Sequence, residues 1–399
     1  MFNAANTGFM LVAASLVMLM TPGLAFFYGG LVGRSNTLSI MIQSFASMGV
    51  TTILWWAVGY SLCFNGGDGG VYGNFDKAFL NGVRPLSEYA PSQIPLVVFI
   101  AYQMMFAIIT PALITGAFTN RVTFKAYLIF LVAWQLFVYF PFVHMIWGGG
   151  MLAHWGVLDF AGGIVVHAIA GFAALASVLY VGKRRIVDAP HNLPLIALGT
   201  GLLWFGWYGF NAGSELKVDH ITATAFLNTD LAASFAAITW LFVEWWHAKK
   251  PHFVGLLTGA VAGLATITPA AGYVSIDSAV IIGVASGVVC YAAIALKNRL
   301  HWDDALDVWG VHGVGGFLGI VLLGVFASKA INPNGATGLI HGSGTFFGKQ
   351  LAAATGASLY AFAFTYAMLK AINLITPVRV SEQDEQALDQ ALHGEAAYT

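Results

Sequence analysis

The nine residues Asp159-Phe-Ala-Gly-Gly-Ile-Val-Val-His167 open a run of small and apolar residues that continues to about Val181. They place a carboxylate and an imidazole on one segment with the composition of a membrane span. About 145 residues later the chain repeats the arrangement in Asp304-Ala-Leu-Asp307-Val-Trp-Gly-Val-His312. Both copies read Val-His-x-x-x-Gly (Val166, His167, Gly171; Val311, His312, Gly316). An ionisable group deep in lipid is expensive, so each is a candidate functional site. Two of them at matched positions point to a pathway at the interface of an internal repeat.

Composition agrees with a life in lipid. The 399 residues are 58% hydrophobic and 9% charged, with a mean hydropathy of +0.76. A soluble domain carries about 25% charge. The chain therefore reads as an all-α polytopic membrane protein. A net charge of -1 gives no bulk attraction to nucleic acid. Cys63 and Cys290 form no disulfide framework and no metal-ligand spacing, so no metal and no cofactor is expected. The N-terminus lacks a basic leader region, and Gly8 onward reads as a retained first span.

Apolar runs of about 20 residues, long enough to span, fall at roughly 8–32, 37–62, 94–119, 124–145, 160–181, 193–211, 222–246, 252–270, 275–296, 304–326 and 344–373. That makes eleven. Lys and Arg alternate between the connections. One set holds Arg34, Arg121, Lys125, Lys183, Arg184, Arg185, Lys249, Lys250, Lys297 and Arg299; the other holds Lys77, Arg84, Lys217 and Lys329. Ten against four places the first set in the cytoplasm, with the N-terminus outside and the C-terminus inside. Pro22, Pro111 and Pro269 sit inside apolar runs and predict broken or kinked spans. Ile-Thr-Pro recurs in spans three and eight, and the histidines lie in spans five and ten. An offset of five is odd, so the halves insert with opposite topology. The reading is an inverted 5+5 repeat (about 8–181 and about 193–326) plus one extra helix at about 344–373 within a membrane domain of 1–377. Residues 378–399 read as a solvated tail, with Ser381 able to cap a short helix.

Each candidate residue has a plain alternative. His167 and His312 either hydrogen-bond backbone carbonyls separately or share one proton along a pore, relaying it by tautomer exchange. Asp159 is placed to cap a helix and also to favour a nearby cation. Trp147, Phe106, Trp204, Phe205, Trp207, Tyr208 and Phe210 fit an interfacial aromatic belt, or a cage that holds a cation by its ring faces. Ser214 is a loop serine unless it faces the same vestibule. Asp304 and Asp307 read as structural carboxylates at the start of a span.

In order along the chain, Pro22-Gly-Leu-Ala-Phe-Phe-Tyr-Gly-Gly30, Gln103-Met-Met-Phe106-Ala, Trp147-Gly-Gly-Gly150, Asp159 through His167, Trp204-Phe-Gly-Trp207, Phe210-Asn-Ala-Gly-Ser214 and Asp307 through His312 resemble the Amt/Mep/Rh ammonium transporter family, Amt branch. The tail from Arg379 to Tyr398 resembles the family ending, except that Ala387-Leu-Asp389 stands where Gly-Leu-Asp is usual. The resemblance implies eleven helices, a homotrimer with one pore per subunit, a plasma-membrane location, and ammonium or ammonia as cargo rather than an enzymatic reaction. By position it implies an outer recruitment site of Phe106, Trp147 and Ser214, with Asp159 as the outer carboxylate and Trp207 and Thr268 lining the entrance. It implies a gate of Phe106 and Phe210, a proton relay of His167 and His312, and a PII-type regulatory protein meeting the tail. Three rivals stand beside the transporter. One is an ammonium sensor with little transport. The second is an Rh-type gas channel, against which Trp147 argues. The third is a haem oxidoreductase with the two histidines as axial ligands.

Overall fold

The structure, a computed structural model, describes residues 2–398. Eleven apolar helices run back and forth: α1 (Ala4–Leu31), α2 (Arg34–Phe64), α3 (Leu96–Phe118), α4 (Phe124–Trp155), α5 (Gly163–Val181), α6 (Leu193–Glu215), α7 (His220–Ala248), α8 (Phe253–Ile267), α9 (Ile276–Arg299), α10 (Trp309–Phe326) and α11 (Gly344–Ile375). Ten are long and apolar enough to cross a bilayer, and the eleventh, α8, has 15 residues. At 1.5 Å per residue it spans roughly 22 Å, short of the roughly 30 Å of hydrocarbon. The reason is Pro269, whose ring and missing N–H end the helix after Ile267. A buried turn carries the chain onward, and the Pro269 carbonyl accepts the Phe160 N–H at 3.1 Å.

The other two prolines do not break their helices. α1 continues through Pro22 and α3 through Pro111. Proline removes only one ladder hydrogen bond, and both helices are wedged among neighbours on their buried faces. Four helices instead widen for one turn to i→i+5 bonding, at Trp55–Gly59, Gln135–Tyr139, Gly163–Ala168 and Trp309–Gly313. Such bulges concentrate at functional sites. Two of them contain His167 and His312.

α5 is the enclosed centre of the bundle, with 83% of its most apolar window buried, against 33% for α11 at the rim. α5 and α10 cross backbone to backbone. A Cβ on Gly171 would lie 2.0 Å from the Gly313 nitrogen, and one on Gly316 would lie 2.7 Å from the Gly163 oxygen. The glycine of each Val-His-x-x-x-Gly repeat therefore permits the close approach of its own histidine helix to the other.

The 65–93 loop is ordered and includes a two-residue antiparallel pair, Glu88–Tyr89 with Ile94–Pro95. The tail, mostly exposed, is nevertheless anchored to the bundle by a few buried side chains. Glu385 and Asp389 are each 2% exposed. Glu385 accepts from Arg185 and Arg379, while the Asp389 carboxylate accepts the Leu38 and Ser39 N–H groups at 2.9 and 2.8 Å and so caps α2. Ser381 does cap a turn, accepting the Asp384 N–H at 3.1 Å. Ala387 sits at φ -151°, a conformation open to any residue, so alanine in place of glycine imposes no strain there.

Candidate functional site

Three cavities line up along α5 and α10. The face bearing the 65–93 loop is called outer, following the Lys and Arg distribution. Its cavity holds about 240 Å³ and is lined by Gln103, Phe106, Trp147, Phe160 and Ser214, among others. The Trp147 indole donates to the Asp159 carbonyl at 2.8 Å, which fixes its ring edge-on to Phe106 at 5.8 Å and 86°. Ser214 lies on the short turn ending α6. Its hydroxyl donates to the Phe210 carbonyl at 2.9 Å and lies 3.3 Å from the Tyr102 hydroxyl. The cavity floor is the pair Phe106 and Phe210, centroids 4.3 Å apart and both about 1% exposed.

Below that pair the lumen narrows to about 10 Å³. An ordered water needs at least about 10–15 Å³ and two or more polar partners. The walls are Met20, Leu24, Ile109, Leu113, Leu203 and Val261, with His167, His312 and Trp207 as the groups bearing polar atoms. The Nδ1 atoms of the two histidines are 3.2 Å apart, and the rings lie 19° from parallel with centroids 5.2 Å apart. One nitrogen must donate and the other accept. Trp207 stacks on His167 at 5.4 Å and 23°. His167 Nε2 is buried without a hydrogen-bond partner. His312 also faces a third cavity of about 270 Å³ on the opposite side, lined by Arg184, Asp188 and Asp307 as well as apolar groups.

Asp159 begins this construction. Its Oδ1 accepts the N–H groups of Gly162 and Gly163 at 2.8 and 2.6 Å, and its Oδ2 those of Ile164 and Val165 at 2.8 and 3.2 Å. Four orphan donors at the start of α5 are thereby satisfied. The carboxylate is aimed into the helix rather than among the groups lining the outer cavity. Asp304 does the lesser equivalent for α10, accepting the Trp309 N–H at 2.7 Å, while Lys297 ties Asp307 at 2.6 Å. Both make the helix-start contacts of a structural carboxylate, and Asp307 also lines the inner cavity.

Two assignments move. Trp207 and Thr268 lie not at the entrance but deeper. Trp207 lines the lumen beneath the phenyl pair, and its indole N–H donates to Thr268 Oγ1 at 2.8 Å. Thr268 is fully buried, donates on to the Leu264 carbonyl at 2.7 Å, and lines none of the three cavities. The cause is the early end of α8 at Pro269, which brings Thr268 under α6. Sequence reasoning missed Gln103, Tyr102 and Phe160. Gln103 carried a signal, a lone amide in an apolar span three residues before Phe106 and hence on its helix face.

A family model described as Ammonium Transporter Family matches residues 8–398. The chain belongs to this family. It is 43% identical over 398 residues to an ammonium transporter of Bacillus subtilis (strain 168), covering 98% of each chain. The solved structure of Saccharomyces cerevisiae Mep2 is similar with a TM-score of 0.88 and 35% identity, covering 96% of this chain and 91% of that one. A structure named Sensor Amt Protein is similar with a TM-score of 0.89 and 28% identity, covering 98% of each. Among the described residues, no His, Cys, Asp and Glu cluster in a group able to hold a metal ion. The haem alternative also fails on distance: two axial nitrogens need roughly 4 Å between them, at about 2 Å per bond, and a porphyrin plane does not fit between rings bonded at 3.2 Å.

Proposed function

We propose that this chain takes up ammonium as a nitrogen source across the plasma membrane, by parting the ion from its proton. The observation that carries the reading is a directly bonded pair of imidazoles in a narrow, mostly apolar neck between two roomy cavities. Trp147 and Phe106 offer ring faces to a cation in the outer cavity, worth roughly 2 kcal/mol or more per desolvated contact. The Ser214 oxygen accepts one N–H. Asp159, accepting from four backbone amides, places its carboxyl oxygens behind Trp147 and adds negative potential there. Ammonium and potassium are similar in size, so size does not separate them. Ammonium donates directional hydrogen bonds and can lose a proton; potassium can do neither. A bare cation entering the neck past Phe106 and Phe210 would lose hydration that the walls do not replace. Neutral ammonia loses far less. The proton then passes through His167 and His312 to the inner cavity, each ring handing on one proton as it accepts another.

The same reading takes residues 8–181 and 193–326 as inverted repeats with α11 outside them, the N-terminus outside and the tail in the cytoplasm. The family resemblance supports a homotrimer with one pore per subunit and a PII-type protein at the cytoplasmic face, where the anchored tail lies. A second reading, an ammonium sensor, draws on the similarity to Sensor Amt Protein. Currents on a solid-supported membrane separate the two. Wild-type proteoliposomes should give a transient on ammonium addition and none on potassium, and His167→Ala should abolish the ammonium transient. His167→Asp with His312→Glu should conduct potassium or nothing. Unchanged selectivity in that double variant refutes the relay, and absence of any wild-type current favours the sensor.

A further inference from the structure

Asp230 is the eleventh residue of α7 and stands at mid-membrane depth, roughly 15 Å below the outer end of its helix at 1.5 Å per residue. It is half-buried and opens on the side of the subunit. Two neutral groups of α6 bind it, the Trp204 indole N–H at 3.1 Å and the Tyr208 hydroxyl at 2.6 Å, and both donate to Oδ1. Oδ2 has no hydrogen-bond partner among the described residues. Around it lies an apolar surface, with Phe205 56%, Phe226 49% and Leu227 42% exposed. A charged group at the bilayer centre is costly and is found facing protein or water rather than acyl chains. Lipid tails offer Oδ2 no donor.

The same chain presents a matching group on another face. Ser15 is the twelfth residue of α1, is exposed, and sits roughly 16 Å below the outer end of its helix. α1 and α7, both odd-numbered, begin on the same side, so the depths correspond. The Ser15 hydroxyl bonds only its own helix, at the Leu11 carbonyl 2.9 Å away, and can turn outward. It is ringed by Leu11 54%, Val12 58% and Met18 42% exposed. A donor on α1 and an acceptor between α6 and α7 are complementary head to tail, an arrangement that gives a ring when the rotation between copies closes.

We propose that a second copy of this chain covers the α6–α7 face, and that its Ser15 hydroxyl donates to Asp230 Oδ2, a polar lock in the middle of the bilayer. The proposal rests on the homotrimer proposed above and names what joins its subunits. Because Trp204 and Tyr208 share α6 with Trp207 and Phe210, the lock also braces the helix that carries the gate. The experiment uses the full chain in detergent and in proteoliposomes. In the double variant Ser15→Cys, Asp230→Cys, mild oxidation should give a ladder of disulfide-linked dimers and trimers, with neither single variant doing so. Cys63 and Cys290 are fully buried and stay silent. On native mass measurement Asp230→Leu should shift the main species from trimer to monomer, and Asp230→Asn, which keeps the acceptor, should retain most of the trimer. A monomeric wild type would overturn both the trimer and the lock. A trimeric wild type whose double-cysteine variant forms no ladder, or whose Asp230→Leu variant remains as trimeric as wild type, overturns the lock alone. Ammonium current in the wild type is read separately and tests only the transport reading.

Discussion

Gly171→Ala tests the link between backbone packing and the histidine pair. The added Cβ would lie 2.0 Å from the Gly313 nitrogen and 2.1 Å from the Gly313 Cα, both backbone atoms with no rotamer to yield. Carbon contacts are comfortable at about 3.5–4.0 Å, so α5 and α10 must part by roughly 1.5 Å at the crossing. Gly171 lies one helical turn beyond His167, and Gly313 directly follows His312. The displacement therefore reaches the rings. A contact of 3.2 Å opens to roughly 4.7 Å, well past the range of a hydrogen bond. Overpacking costs about 1–3 kcal/mol, which a well-packed bundle survives. Losing the hydrogen bond, at about 1.4 kcal/mol, predicts an ammonium current about tenfold lower. The assay is solid-supported-membrane current per unit of reconstituted protein, with thermal unfolding measured alongside. Gly201→Ala is the control, since its Cβ would meet nothing within 4 Å, and it should keep full current. A folded Gly171→Ala protein with wild-type current would refute the claim that the direct imidazole contact carries the proton.

Three further outcomes follow from other contacts. Thr268→Val leaves the Trp207 indole N–H buried without an acceptor, so thermal unfolding should show a loss of about 1–3 kcal/mol; Thr268→Ser should restore most of it. At Asp303, burial alone would raise the carboxyl's pKa, but hydrogen bonds from Arg184 and the charge of Arg121 outweigh it and hold the group below its ordinary 3.8. A depressed folded value means this contribution to stability is present above about pH 4 and lost as pH falls from 3.8 through the folded value. Asp303→Asn should thus be less stable near neutrality, and its acid-unfolding curve should be flatter below that point. Asp389→Ala uncaps α2 and frees the tail, so limited proteolysis should cut after residue 377 sooner than in wild type while the membrane domain stays intact.

Span positions were legible because membrane helices obey one rule of length and polarity, and helices from α1 to α11 begin and end within a few residues of the apolar runs; in α4 the continuous part ends at Trp147, with Met151–Trp155 a separate short turn of helix. The histidine pair was legible as a repeat of sequence. Depth was not. Pro269 marks a break in the sequence, but nothing in the order of residues tells that the break slides Thr268 beneath α6, because that follows from how a short helix packs. The tail misled for a related reason: its carboxylates look solvated until partners such as Arg185 and Ser39, some 200 and 350 residues away in sequence, come beside them. Asp230 shows the reverse. The rule that marks an ionisable residue in an apolar span applies to it as fully as to the histidines.

The double duty of Asp159 has a consequence for how such a protein can change over generations. Its carbonyl anchors Trp147, and its carboxylate starts the helix whose first turns carry the first imidazole. The indole of the outer cavity and the first imidazole of the neck thus hang from a single residue. On the transport reading, a change at Asp159 would disturb capture and passage together, whereas Gln103, which lines the outer cavity, can change and leave that hinge alone.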